Sequence, residues 1–140
     1  MELTFIDPRV DARYASERDL RYRVLRAPLG MGRHEVGFVG EDAALHLLAA
    51  EGGRVVGCVL FDFTSGRLRA MAVDPMLQRS GLGSRLVRHL EGELEARGVR
   101  VVTLHARADV VGFYARLGYT LQGEPFTEVG LTHRAMTKTW

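Results

Sequence analysis

The stretch Gln78-Arg79-Ser80-Gly81-Leu82-Gly83-Ser84 has the residue types and spacing that speak most directly to chemistry. It follows a strand-like run, Arg67 to Pro75, and opens into a helix-patterned run, Ser84 to Arg97. Strand, glycine loop and helix start, in that order, aim several backbone N–H groups at one point beyond the strand. The helix adds its unpaired first-turn donors and the positive end of its dipole. Such a pocket suits phosphate or pyrophosphate. Side chains at Gly81 and Gly83 would restrict φ and block close approach. Two better-known phosphate loops do not fit. A P-loop carries Lys-Ser/Thr after its last glycine, whereas Ser84-Arg85 follows Gly83. A dinucleotide fingerprint follows the first strand of a βαβ unit and has a third glycine; this loop sits mid-chain.

The elements that must position this loop are legible from pattern. Leu3 to Ile6 reads as a short strand and Ala15 to Arg26 as a helix with Ser16 as its cap. Residues 27–42 are glycine-rich and irregular, a length at which loops are often functional. Strands Ala43–Ala50 and Arg54–Phe63 flank the turn Glu51-Gly52-Gly53, and Thr64-Ser65-Gly66 leads into strand Arg67–Val73. Three strands on short turns form an antiparallel meander. The helix from Ser84 places Leu86, Val87, Leu90 and Leu94 on one face and ends at Gly98. Strand Arg100–His105 then implies a right-handed crossover and a parallel pair. A short helix, Asp109 to Leu117, and strands from Tyr119 and over Leu131–Thr139 complete the chain. The fold class is α/β: one mixed sheet, antiparallel at its start with a parallel β-α-β crossover, and helices on both faces.

Bulk properties bound the function. The chain has 140 residues, one domain's worth, with a formal net charge of +2 carried almost wholly by arginine, Lys138 being the sole lysine. Arg18, Arg21, Arg23 and Arg26 are the densest cluster and read as a solvated helix face. No basic stripe interleaved with aromatics suggests nucleic acid, and no run is long enough to span a membrane. The single cysteine, Cys58, lies in an apolar run and reads as a core thiol. Five scattered histidines make no metal motif. The N-terminal residues lack a basic region and an apolar signal core, so a cytoplasmic protein is expected.

Gln78-Arg79-x-Gly81-x-Gly83 after Val73-Asp74-Pro75 resembles the acetyl-CoA motif of the GNAT N-acetyltransferase superfamily. Downstream, Val110-Val111-Gly112-Phe113-Tyr114-Ala115-Arg116-Leu117-Gly118-Tyr119 is similar to that family's Ala-x-x-Phe-Tyr-x-x-x-Gly-Phe/Tyr segment. The resemblance covers roughly residues 40 to 138. It implies that the amides of Arg79, Ser80, Gly81, Leu82, Gly83 and Ser84 surround the pyrophosphate of acetyl-CoA, with Gln78 at the loop's start. The Arg79 side chain and Ser84 hydroxyl add contacts. Met71, Ala72 and Val73 offer backbone groups to the pantetheine. It implies that Tyr114 protonates the departing thiolate, because a phenol (pKa ~10) keeps its proton where a thiol (~8.5) begins to lose it. The family often has asparagine where Arg107 stands; an arginine cannot accept the pantetheine hydrogen bond but could meet a phosphate. The irregular 27–42 segment would help shape the acceptor site.

The attacking amine must also lose a proton. His133, Glu128, Glu124, His105 and Glu35 are the candidate bases, with Glu128, as a loop carboxylate, favoured over His133. The expected function is acetyl transfer from acetyl-CoA to a primary amine of a small molecule by direct attack, since no nucleophile with a paired base is evident. Two other functions share these residues: an acyl-CoA-binding or sensing module, and a protein N-terminal or lysine acetyltransferase. Oligomeric state is not encoded in any visible pattern, and a homodimer stays open.

Overall fold

The computed structural model describes residues Met1–Trp140. Seven strands form one sheet in the order β1-β2-β3-β4-β5-β7-β6: β1 Glu2–Ile6, β2 Leu45–Glu51, β3 Arg54–Asp62, β4 Arg67–Val73, β5 Val101–Arg107, β6 Thr120–Glu128 and β7 Leu131–Thr139. Every neighbouring pair is antiparallel except β4 and β5, which are joined by the crossover helix α2 (Leu82–Ala96). The mixed sheet and its single parallel pair are as the pattern predicts. β5 runs two residues further than expected, to Arg107, and carries that side chain to the strand's end.

Helices cover both faces. α2 and α3 (Val111–Arg116) pack a core of Leu82, Leu86, Leu90, Leu94 and Leu104. On the other face α1 (Tyr14–Arg21) continues as one π-helical turn, Tyr22–Arg26, and buries Leu20 against Cys58, Leu60 and Ala72. Cys58 is fully buried, as a core thiol should be. Ser16 does not cap α1. Its hydroxyl accepts from the Val55 N–H at 2.9 Å and ties the helix to β3 instead.

β4 changes its facing midway. Leu68 points into the α2 core, but beyond it Met71 and Val73 do, while Ala70 and Ala72 face α1. An extra residue in β4 causes the switch: Cys58 to Leu60 of β3 oppose Ala72 to Arg69, and Ala70 sits at φ +54°. This is a β-bulge, which bends a strand and interrupts pairing. Only Arg67 and Leu68 pair with β5, through Thr103 and Leu104. Beyond that point the two strands part.

The arginine cluster is not wholly a solvated face: Arg23 is exposed, but Arg21 is buried. Arg21 is 1% exposed. Its Nη1 donates to Glu17 (2.9 Å) and Glu41 (2.7 Å), and its Nη2 to Glu41 (2.8 Å) and the Val36 carbonyl (2.9 Å). His46, also buried, sets Nδ1 2.7 Å from Glu17 and Nε2 2.9 Å from the Glu41 carbonyl. The Glu41 carbonyl only accepts, so Nε2 donates to it; beside an ionised Glu17, Nδ1 donates as well and the ring is an imidazolium. Burial alone would lower the His46 pKa, but the Glu17 bond and charge outweigh it and raise it. Burial likewise would raise Glu41, yet Arg21 and Tyr14 hold it down to about 2. The network fastens the 27–42 segment to α1 and the sheet.

Removing one member leaves a buried charge alone. Glu41→Gln is expected to cost about 3–5 kcal/mol in urea denaturation. The signs of the two shifts predict the pH dependence. Glu41 contributes stability at neutral pH that disappears as pH falls from its unfolded value towards about 2. His46 contributes stability that is complete below its unfolded value and disappears as pH rises through its raised folded value. His46→Gln should therefore weaken the expected loss of stability as pH rises above the ordinary histidine range, with the midpoints read by far-UV circular dichroism.

Candidate active site

A cleft of about 650 Å³ occupies the gap where β4 and β5 part. Met71, Ala72 and Val73 line one wall, Ala106 and Arg107 the other, and Tyr114 reaches it from α3. Leu29, Val36 and Phe38 of the irregular segment cover it from the α1 side.

At one mouth lies the glycine loop. Asp74 is buried and starts a tight turn over Pro75–Leu77, its Oδ1 accepting from the Met76 N–H at 3.0 Å. The Gln78 side chain donates to the Val73 carbonyl at 3.1 Å and clips the loop to the end of β4. α2 begins at Leu82, two residues earlier than the pattern suggests. Gly81, at φ +88°, is its N-cap in a left-handed conformation that costs other residues roughly 1–2 kcal/mol. Gly83 is needed for space: a Cβ there would lie 3.2 Å from the Phe113 ring and 3.7 Å from the Met71 methyl. The amides of Arg79, Gly81, Leu82, Gly83 and Ser84 donate to no protein acceptor, while that of Ser80 reaches the Leu77 carbonyl at 3.3 Å. Arg79 makes no ion pair, and the Ser80 hydroxyl is spent on the Leu77 carbonyl. This donor set fits a pyrophosphate, which needs several N–H groups and a cation and brings its own acceptors.

Tyr114 is 6% exposed and packs edge-on against Phe113 and Tyr119. Burial pushes its phenol well above the ordinary value, so the hydroxyl keeps its proton at neutral pH. Tyr119 is structural, its hydroxyl donating to Glu91 at 2.8 Å.

The other mouth is built by β5, β6 and β7. Their register puts His105 and Arg107, Phe126 and Glu128, and His133 on one face. Glu128 is not on a loop: it is the last residue of β6, before the two-residue turn Val129-Gly130. Both turn residues have positive φ, +46° and +77°, and the first is a β-branched residue that rarely adopts it. Glu128 Oε1 lies 2.9 Å from His105 Nδ1, and Oε2 lies 3.7 Å from His133 Nε2. The His133 Nδ1–H donates to the Leu131 carbonyl at 2.9 Å, so in the neutral ring Nε2 carries the lone pair. Burial by itself would raise the Glu128 carboxyl, but His105, His133 and Arg67 hold it below its usual range. Glu124 is exposed, and Glu35 is occupied by the Gly32 N–H; neither lines the cleft. Arg107 lines the cleft and pairs with Asp109 at 3.5 Å. Sequence reasoning overlooked Arg67, whose Nη2 is 2.9 Å from the same His105 nitrogen. Its signal was present: Arg67 and Arg69, like His105 and Arg107, alternate along two strands expected to be neighbours.

A sheet split beside a glycine loop, with a buried phenol on one side and a carboxylate beside two histidines on the other, is an arrangement suited to acyl transfer. The sequence profile of an "Acetyltransferase (GNAT) domain" matches residues 33–140. A Bacillus subtilis (strain 168) relative, "Uncharacterized N-acetyltransferase YitI", is 30% identical, covering 86% of this chain and 88% of the relative. An acyl-CoA N-acyltransferase from Pseudomonas aeruginosa superposes with a TM-score of 0.85 at 19% identity over 99% of both chains. An aminoglycoside 6'-N-acetyltransferase complexed with coenzyme A superposes at 0.76 and 20% identity, over 99% of this chain and 97% of that one. The chain belongs to the GNAT acetyltransferase family, enzymes that use acetyl-CoA as co-substrate.

The contacts of Glu128 make its titration a direct check of the geometry. In a carbon-detected NMR titration its midpoint should fall below the usual ~4.5, and His105→Gln should move it upward. The sign follows from linkage: a depressed carboxyl contributes stability that is lost as pH falls through its folded value.

Proposed function

We propose that this enzyme transfers the acetyl group of acetyl-CoA to the primary amine of a small molecule by direct attack. One observation carries the proposal: a single covered cleft has free loop amides at one mouth, bases at the other, and a protonated phenol between them. Met71 to Val73 line the pantetheine path, and Arg79 with Ser84 completes the pyrophosphate cradle. Cover from Leu29, Val36 and Phe38 favours a compact acceptor over a protein chain. Every residue of the proposed site comes from one copy of residues 1–140, which act as one catalytic domain. The cytoplasm, where the thioester is available, is its proposed compartment.

The amine nitrogen attacks the thioester carbonyl, forming a C–N bond. The C–S bond breaks, the sulfur takes a proton from Tyr114, and the nitrogen gives one up. A thiolate released into this covered cleft would lose part of its hydration. A desolvated thiolate is a stronger base, which brings it towards the raised Tyr114 phenol and makes transfer feasible. We assign proton removal from the amine to His133 Nε2. Glu128, held as a carboxylate, is the weaker base of the two but stabilises the imidazolium beside it.

Acetyl-CoA at ~100-fold excess over its dissociation constant should stabilise the protein by about 2.7 kcal/mol, seen as a thermal shift. Gly83→Val, which meets Phe113, should abolish the shift. Tyr114→Phe should retain the shift and lower turnover ~10²–10⁴-fold in a thiol-release assay. His133→Gln should remove the acid limb of the kcat/KM profile, whereas Glu128→Gln should move it to lower pH by weakening the imidazolium. If His133→Gln keeps the wild-type limb, His133 is not the base.

A further inference from the structure

The acceptor end of the cleft holds two arginines with no carboxylate of their own. Arg67 reaches His105 through Nη2, and its Nε has no partner. Arg26 donates only to backbone carbonyls, of Glu35 at 3.0 Å and Leu25 at 3.2 Å. Arg69 stands near both, its guanidinium 4.0 Å over the Phe38 ring and 3.8 Å from Asp62. All three line the cleft. Burial lowers the pKa of both Arg26 and Arg67, with like charges adding to it, so their positive charge is poorly solvated. Arg21 next to them is different, because Glu17 and Glu41 neutralise it.

Position turns this into a statement about substrate. Arg67 Nη2 and Glu128 Oε1 each lie 2.9 Å from the same nitrogen, His105 Nδ1. That nitrogen serves one of them at a time: unprotonated it accepts from Arg67, protonated it donates to Glu128. A cation and a carboxylate thus flank one ring on one wall, with His133 beyond Glu128. The complement of that pair is a molecule with an anionic group a few bonds from its amine.

We infer that the acceptor is a zwitterionic amine, an amino acid or an aminoalkyl phosphonate, with its anionic group on Arg67 and Arg26 and its amine towards Glu128 and His133. The inference rests on the acetyl-transfer reading given above and names its substrate class. A nearby guanidinium also lowers the pKa of the bound ammonium, which raises the fraction free to attack. Polycationic amines meet the same arginines as like charges and are disfavoured.

The test uses matched pairs: phenylalanine against phenylalaninamide, and 2-aminoethylphosphonate against ethanolamine. Binding to the enzyme loaded with coenzyme A is read by calorimetry, and acetyl transfer by thiol release. Charged hydrogen bonds of this kind predict at least one zwitterionic member favoured ~10–100-fold over the partner that lacks the anionic group. Which pair shows the preference separates carboxylate from phosphonate. Arg67→Gln and, independently, Arg26→Gln should erase the preference, with an unchanged acetyl-CoA affinity showing that each variant is folded. Equal or tighter binding of the partners that lack the anionic group, a preference that survives either substitution, or no binding by either zwitterion overturns the inference. Zwitterion binding without thiol release from any amine would instead sink the acetyl-transfer reading and leave the anion site standing.

Discussion

The functional architecture depends on the separation of β4 from β5. A parallel pair normally continues its ladder along the shared length, and here it stops after two residue pairs. The extra residue at Ala70 accounts for this, since it bends β4 and exchanges the faces on which its side chains lie. The consequence is chemical. Backbone groups that a sheet would consume in pairing are left facing a cleft, available to an extended, amide-bearing ligand that can pair with a strand. Tyr114 on one side of the sheet and Glu128 with His133 on the other meet the same space because the sheet is open between them.

The two sides of that opening are held by different forces. On the α2 side the packing is apolar, and Gly83 lets α2 approach Phe113 closely enough to bring the loop amides to the cleft. On the α1 side the cover is held by charge. Arg21 and His46 balance Glu17 and Glu41 in a buried network whose bonds end on the Val36 carbonyl and the Phe38 N–H, both in the covering segment. Such a network is weak evidence for net stability, since apolar residues could fill the same volume at lower desolvation cost. What it supplies is position: its hydrogen bonds set where Val36 and Phe38 stand over the cleft.

Much of this was legible in the residues. Periodicity and turn chemistry located all seven strands, and the order meander–helix–strand implied the parallel pair. Glycines at a helix start also serve close packing, as Gly83 does against Phe113, so the loop pointed to its amides only together with the Phe113-Tyr114 segment downstream. The losses have physical causes. The bulge at Ala70 has no turn residue to mark it. Arg21 looked like its solvated neighbours, because pairing with Glu17 is visible at helical spacing whereas burial by Glu41 and His46 comes from distant chain. Ser16 has a capping side chain, but β3 offered it a buried N–H that needed a partner. Glu128 read as a loop residue because Val129 is an improbable turn former; only the tertiary setting holds it at positive φ.

The opposed titration behaviour of Tyr114 and Glu128 follows from one difference in their surroundings. Burial pushes both towards the protonated form, and for Tyr114 nothing resists it. For Glu128 the charges of His105, His133 and Arg67 outweigh it. A protonated phenol and an ionised carboxylate thus coexist in one cleft at the same pH because no charged group acts on Tyr114, while His105, His133 and Arg67 act on Glu128. Distributing cationic side chains along the whole cleft would draw the phenol's pKa down as well and weaken it as a proton reservoir. An apolar end around Met71, Phe113 and Tyr114 and a charged end around Arg67, Glu128 and His133 let one opening in a sheet hold a protonated phenol and an ionised carboxylate at the same pH, the separation that the proposed acid and base roles require.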